Sequence, residues 1–249
     1  MAAPARTWRL VLEHIERELL DGRLAPGDRL PPERELATSL GVGRSSVREA
    51  LRALEVLGLI RTGTGSGPSS GAIIIATPEG GMAALLRLQV AARGFPLDDV
   101  VSTRLVLEAS VVETLAATTG VDLTASDALV RAMDAPGLTR ADFLALDAQL
   151  HQSLADASGN TVVASVMGGL RTAIESYVLA GAEGIADWPQ TAARLRAEHR
   201  AIVAAIREGD APAARALVHD HITGYYIESH VLARPGATHA LIGPRPIED

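Results

Sequence analysis

The 249-residue sequence contains no cysteine. That excludes thiol catalysis, thiolate metal ligands and any disulfide framework, so a metal bound here is held by nitrogen and oxygen. Lysine is absent too, and all 23 basic residues are arginine. Long apolar runs are missing, because Arg, Asp or Glu interrupts each one well before the roughly 18 residues that read as a membrane span. The N-terminal stretch MAAPARTWRLVLEHIE carries Arg6, Arg9, Glu13 and Glu16 where a signal peptide keeps an apolar core. These absences predict a cytoplasmic chain with no membrane partner.

Charge is divided unevenly along the chain. Residues 1–76 hold ten Arg against nine Asp or Glu, a net of about +1, whereas residues 77–249 hold thirteen against twenty-one, about −8. The overall acidity therefore belongs to the second part and says little against nucleic acid at the first. The first part is punctuated by DGRLAPGDRLPP, GVG and GTGSGPSSG and ends in the β-branched run Ile73–Ile75. After Thr77 long helical patterns follow one another with short breaks and almost no strand signal. The expected organisation is a small domain over 1–76, a linker over 77–84, an all-α domain over 85–234 and a flexible tail over 235–249. The expected fold is mainly α, a winged helix-turn-helix followed by an antiparallel bundle of six or seven helices.

Within the first part, WRLVLEHIERELLDG spaces Leu10 or Val11, Ile15 and Leu19 at helical intervals and stops at Gly22. LPPERELATSLG predicts a second helix with Leu36, Ala37 and Leu40 as its apolar face. After the turn GVGR, Ser45 or Ser46 is expected to cap a third helix whose Val47, Leu51, Leu54 and Leu57 face inward. That leaves Arg44, Ser45, Ser46 and Arg48 crowded at the exposed start of the third helix, the end that enters a major groove in a helix-turn-helix. Arginine there can grip guanine with two hydrogen bonds, while serine hydroxyls and helix-start amides suit phosphate. LIRTGTGSGPSSGAIII reads as strand, glycine-rich tip, strand.

Helical phase singles out a second group. Leu144, Asp147, His151 and Leu154 share one apolar stripe, as do Leu195, His199, Ile202 and Ile206, and Leu217, His221 and Tyr225. Burying a carboxylate and three imidazoles together is costly unless they are satisfied by hydrogen bonds or a cation. Phase alone leaves three readings open: a structural hydrogen-bond cluster, a catalytic centre and a metal site. His219, His230 and His239 fall at solvated or irregular positions.

LAPGDRLPPERELATSLGVGRSSVREALRALEVLGLI, residues 24–60, resembles the N-terminal winged helix of the GntR superfamily of bacterial transcription regulators. STRLVLEASVVETLAA, LHQSLADASGN and EHRAIVAAIREGDAPAARALVHDHI resemble the ligand domain (FCD domain) of its FadR subfamily. The resemblance implies DNA contacts by Arg34, Arg44 and Arg48, with Ser45 and Ser46 on phosphates or bases. The lengthened wing departs from the family's short form, with Gly65 and Gly67 assigned to close backbone approach. It further maps a divalent metal, zinc or nickel first and iron, cobalt or manganese also suited, onto Asp147, His151, His199 and His221. Arg104 is placed to pair with an effector carboxylate, against the plainer reading of a salt bridge to Glu108. The implied function is a repressor, not an enzyme, acting as a homodimer on a palindromic double-stranded operator under control of a small carboxylate. The alternative is a metal-dependent enzyme with an incidental head.

Overall fold

The computed structural model describes residues 4–63, 71–75, 81–92 and 94–229, so Gly65, Gly67, His230, His239, the tail 235–249 and linker residues 77–80 lie outside the described residues. The chain divides into two compact units, residues 1–82 and 83–249.

The first unit contains α1 (Pro4–Leu20), α2 (Glu33–Leu40), α3 (Arg44–Val56) and the antiparallel pair β1 (Ile60–Gly63) and β2 (Gly71–Ile74). Its core is Val11, Ile15, Leu36, Ala37, Val47, Ala50, Leu51 and Leu54, closed by Ile60, Ala72 and Ile74 from the sheet. Strand register pairs Ile60 with Ile74 and Gly63 with Gly71, and a bridge from Arg29 to Ile73 adds a third edge. Of the alternatives Leu10 and Val11, Val11 is the buried one and Leu10 (49% exposed) faces solvent. Two expected core positions are corrected: Leu19 and Leu57 (44% exposed) face solvent, and Ala50 fills the face of α3 instead. Helical phase gives a direction, but a helix's partner does not extend along its whole length, and Leu57 lies past the last turn of α3. The expected serine cap also fails. α3 starts two or three residues earlier, at Arg44, with extended Gly43 as its N-cap and no side-chain cap bond.

The second unit holds most of α4 (Gly81–Ala91), then α5 (Leu97–Ala117), α6 (Thr124–Ala132), α7 (Arg140–Ala157), α8 (Thr161–Glu183), α9 (Trp188–Glu208) and α10 (Ala211–Glu228). α5 packs against α7, α8, α9 and α10, which makes it the hub of the bundle. Local signals set the helix starts. Thr139 and Asp142 form a reciprocal capping box at α7, Asn160 accepts from the Val162 and Val163 amides at α8, and Asp187 and Asp210 cap α9 and α10 with Pro189 and Pro212 in the first turns. α9 ends on Gly209 in the left-handed conformation (φ 74°) and α10 is capped by the next residue. The two helices therefore fold back on each other. His199 stands ten residues before Gly209 and His221 eleven after Asp210, so the hairpin brings them level.

Among the described residues α8 alone is long and apolar enough to cross a membrane. It carries Arg171 and Glu175 mid-helix, and its Leu170, Ala173 and Ile174 are buried in the bundle core.

Candidate functional site

The start of α3 is an exposed cationic end. Arg44 and Arg48 keep 60% and 54% of their side chains in solvent, Arg34 and Ser45 are exposed, and Val47, Ala50 and Leu51 anchor the opposite face. No side chain caps α3, whose Ser46 and Val47 amides bond the Gly43 carbonyl, and the N-terminal end of a helix favours a phosphate. The turn before it depends on Gly41, whose φ of 64° closes α2 through bonds to the Ala37 and Thr38 carbonyls. Two partners of this surface were not legible in the sequence. Glu33, at the start of α2, accepts from Arg48 Nε at 2.9 Å and stands 4.0 Å from Arg44 Nη2. The Ser46 hydroxyl is hydrogen-bonded to the Thr7 hydroxyl of α1 at 2.8 Å, so of the two serines only Ser45 is fully exposed.

In the second unit the three predicted stripes converge. Asp147 and His151 come from α7, His199 from α9 and His221 from α10, and one ligand atom from each lies within 4.8 Å of all the others. His221 Nε2 is 3.2 Å from both His151 Nε2 and His199 Nε2. Asp147 Oδ1 is 2.9 Å from His199 Nε2, 3.7 Å from His221 Nε2 and 4.0 Å from His151 Nε2. The three imidazoles are buried, His199 completely, while Asp147 keeps 17% of its side chain exposed. Donor atoms about 2.1 Å from one ion stand roughly 3.0–3.4 Å from their neighbours, so this set is close to the size of a single metal's coordination sphere.

Hydrogen-bond chemistry tests the fit further. His151 Nδ1 lies against the Glu108 carboxylate, and His221 Nδ1 is 2.8 Å from Glu198 Oε2. An ionised carboxylate only accepts, so each of these Nδ1 atoms faces an acceptor, and a ring that is neutral with its proton at Nδ1 presents a bare lone pair at Nε2. Two such lone pairs face each other beside the Asp147 oxygen. Acceptors opposed at this range repel unless a proton or a cation stands among them, and the outward carboxylate partners are those that orient histidine ligands in metal sites. His199 Nδ1 is buried with no partner among the described residues.

The electrostatics of these side chains reflect the same crowding. Burial pushes His199 down to about 4, with Asp147 only partly offsetting it. For His221 burial opposes the charge, but the Asp147 and Glu198 carboxylates outweigh it and push the ring up to about 9. Asp147 is held well below the usual carboxylate range, burial being overcome by its bonds to His199 and His221. Burial would raise Glu108, yet Arg104 and His151 hold it down to about 2.

Arg104 does pair with Glu108 through Nε, and Nη1 donates to the Tyr226 hydroxyl at 3.3 Å. Nη2 has no protein partner among the described residues. Arg104 and Asp147 both line a cavity of about 490 Å³ bounded by α5, α7 and α8, whose walls include Leu144, Ile174 and Val178. Sequence reasoning missed Glu108 and Glu198 as partners of the ligand rings and Arg171 as a cavity residue. The signal for Arg171 was one arginine inside the apolar pattern of α8; Glu108 and Glu198 sit four residues after Arg104 and Arg194 and read as ordinary helix pairs.

Residues 9–68 match the family described as "Bacterial regulatory proteins, gntR family", and residues 99–224 match the "FCD domain". The chain is 28% identical to the HTH-type transcriptional repressor NanR of Citrobacter rodentium (strain ICC168), over 90% of this chain and 86% of that one. It is also 28% identical to an L-lactate dehydrogenase operon regulatory protein of Escherichia coli (strain K12), over 98% and 95% of the two chains. The solved structure of Streptococcus agalactiae GntR superposes with a TM-score of 0.56 at 26% identity, covering 88% of this chain and 98% of the other.

Proposed function

This chain belongs to the GntR family of bacterial regulatory proteins and carries an FCD domain, and we propose that it is a repressor whose operator affinity is set by a small carboxylate bound beside a divalent metal. It is a DNA-binding transcription regulator and not an enzyme, as its relatives and structural neighbours are; the metal-dependent enzyme alternative is set aside on that ground. Repression is supported by the name of the Citrobacter relative, and a carboxylate effector by the operon named for the Escherichia relative.

The observation that carries the effector reading is the double position of Asp147. It belongs to the Asp/His cluster and also lines the cavity that Arg104 lines. A ligand in that cavity therefore reaches the edge of the metal site and a guanidinium together. Asp147, His151, His199 and His221 would hold the ion, with zinc or nickel best suited to the donor set. The metal supplies positive charge that a carboxylate oxygen can meet, and Arg104 supplies a directional hydrogen-bond donor.

At the other unit, Arg44 and Arg48 would read guanine edges while Ser45, Ser46 and the amides of α3 hold phosphate and Arg34 supports them from α2; Gly65 and Gly67 would let the wing tip approach the backbone. The protein would act as a two-fold homodimer in the bacterial cytoplasm, on a palindromic operator whose symmetry mirrors its own. The test is metal analysis of the purified chain, followed by a thermal-shift series of small carboxylates on metal-loaded protein and by operator gel shifts with each hit. Bound metal, a carboxylate that raises Tm and the same compound weakening the shift are expected. Protein that purifies and stays stable without metal, or hits that leave DNA affinity unchanged, would refute the reading.

A further inference from the structure

The cavity beside Asp147 has a second cation that the proposed function does not use. Arg171 projects from α8 as a half-buried side chain lining the same space as Arg104, and it makes no ion pair or hydrogen bond with any described residue. A guanidinium removed from part of its water and given no protein partner is costly to keep, and its planar fork is suited to a carboxylate. Leu144, Ile174 and Val178 form an apolar part of the wall shared by α7 and α8, beside Asp142 and Gln149 of α7. Hydroxyl groups placed against those apolar side chains would lose their hydrogen bonds, whereas methylene groups would not. The volume, about 490 Å³, lies within the range that encloses a small metabolite.

We infer that the effector is a short dicarboxylate with a methylene spacer, one carboxylate at the Arg104 and Asp147 end and the other on Arg171. This rests on the carboxylate-effector reading above and adds to it the second anionic group and the residue that selects it. Glu175, one turn beyond Arg171, also lines the cavity, but it is exposed and makes no ion pair with Arg171. Water and salt screen its charge more than that of the half-buried guanidinium.

The test uses the full chain loaded with zinc and, in parallel, nickel, titrated with succinate, glutarate and adipate and with the monocarboxylates of equal length, butyrate, valerate and hexanoate. At least one dicarboxylate is expected to bind about tenfold more tightly than its monocarboxylate partner. Arg171→Gln should abolish that preference while leaving monocarboxylate affinity and metal content unchanged. Equal binding of both series by the wild type, or a preference that survives Arg171→Gln, would overturn the two-ended reading and leave the carboxylate effector standing. If neither series binds the metal-loaded chain, both readings fall together.

Discussion

Arg48 is held ready at the surface but not locked there. Its bond to Glu33 is an exposed ion pair, and such pairs contribute little to folding, so the guanidinium can leave for a base edge at small cost. Arg48→Ala is expected to weaken specific operator binding by roughly 1–3 kcal/mol and leave the melting curve unchanged. Gel shifts on specific and scrambled duplexes check this, and unchanged specific affinity would reject α3 as the recognition helix. His199 presents the opposite case, a residue with no solvent contact whose Nε2 meets both Asp147 and His221. His199→Ala should lower metal content and Tm together. Because removing a buried ring also leaves a cavity, the decisive comparison is a chelator, which should lower the Tm of the wild type and leave the variant's where it was. A wild type indifferent to the chelator would show that the ion contributes nothing to the fold.

At the scale of elements, the sequence speaks clearly wherever a local rule has a local cause. The stripe Leu195, His199, Ile202 and Ile206 is buried as its phase predicts, and the Thr139, Asn160, Asp187 and Asp210 starts carry the caps that the residue types favour. What was not legible depends on other elements. Periodicity turns His151 inward, but it does not reveal that its Nδ1 meets Glu108 of α5, nor that Ser46 is tied to Thr7 of α1. Likewise, nothing in the spacing of Leu10 and Leu19 tells where the partners of α1 end. The turn between α2 and α3 allows a clean element-scale test, since a Cβ at Gly41 would meet nothing within 4 Å and only the left-handed backbone opposes it. Gly41→Ala is therefore expected to cost about 1–2 kcal/mol of unfolding free energy, and Gly41→Asn less, because asparagine tolerates this conformation. Denaturant titration measures both, and an alanine variant as stable as the wild type would exclude conformational strain as the reason for glycine there.

At the scale of the whole molecule, the chain joins a nearly neutral head with exposed arginines to an acidic body, about +1 over residues 1–76 and about −8 over 77–249. The body repels DNA, so binding must rest on a few phosphate and base contacts at the head rather than on net charge. A regulator built this way is controlled only if its effector binds the DNA-competent and DNA-free states with different affinity. Any such difference is reciprocal: a carboxylate that weakens operator binding by some factor must itself bind the operator complex more weakly by the same factor. For a coupling of about 1–3 kcal/mol that factor lies between roughly 5 and 150, well within the reach of calorimetry. The expected result is that the effector's Kd, measured on metal-loaded protein free and saturated with operator duplex, shifts by the same ratio as the operator's Kd measured with and without effector. Weakened DNA binding with an effector Kd unchanged by DNA would mean that the compound acts by another route, by stripping the metal or dissociating the dimer. The cavity beside Asp147 would then be a structural feature of the bundle and not its sensor.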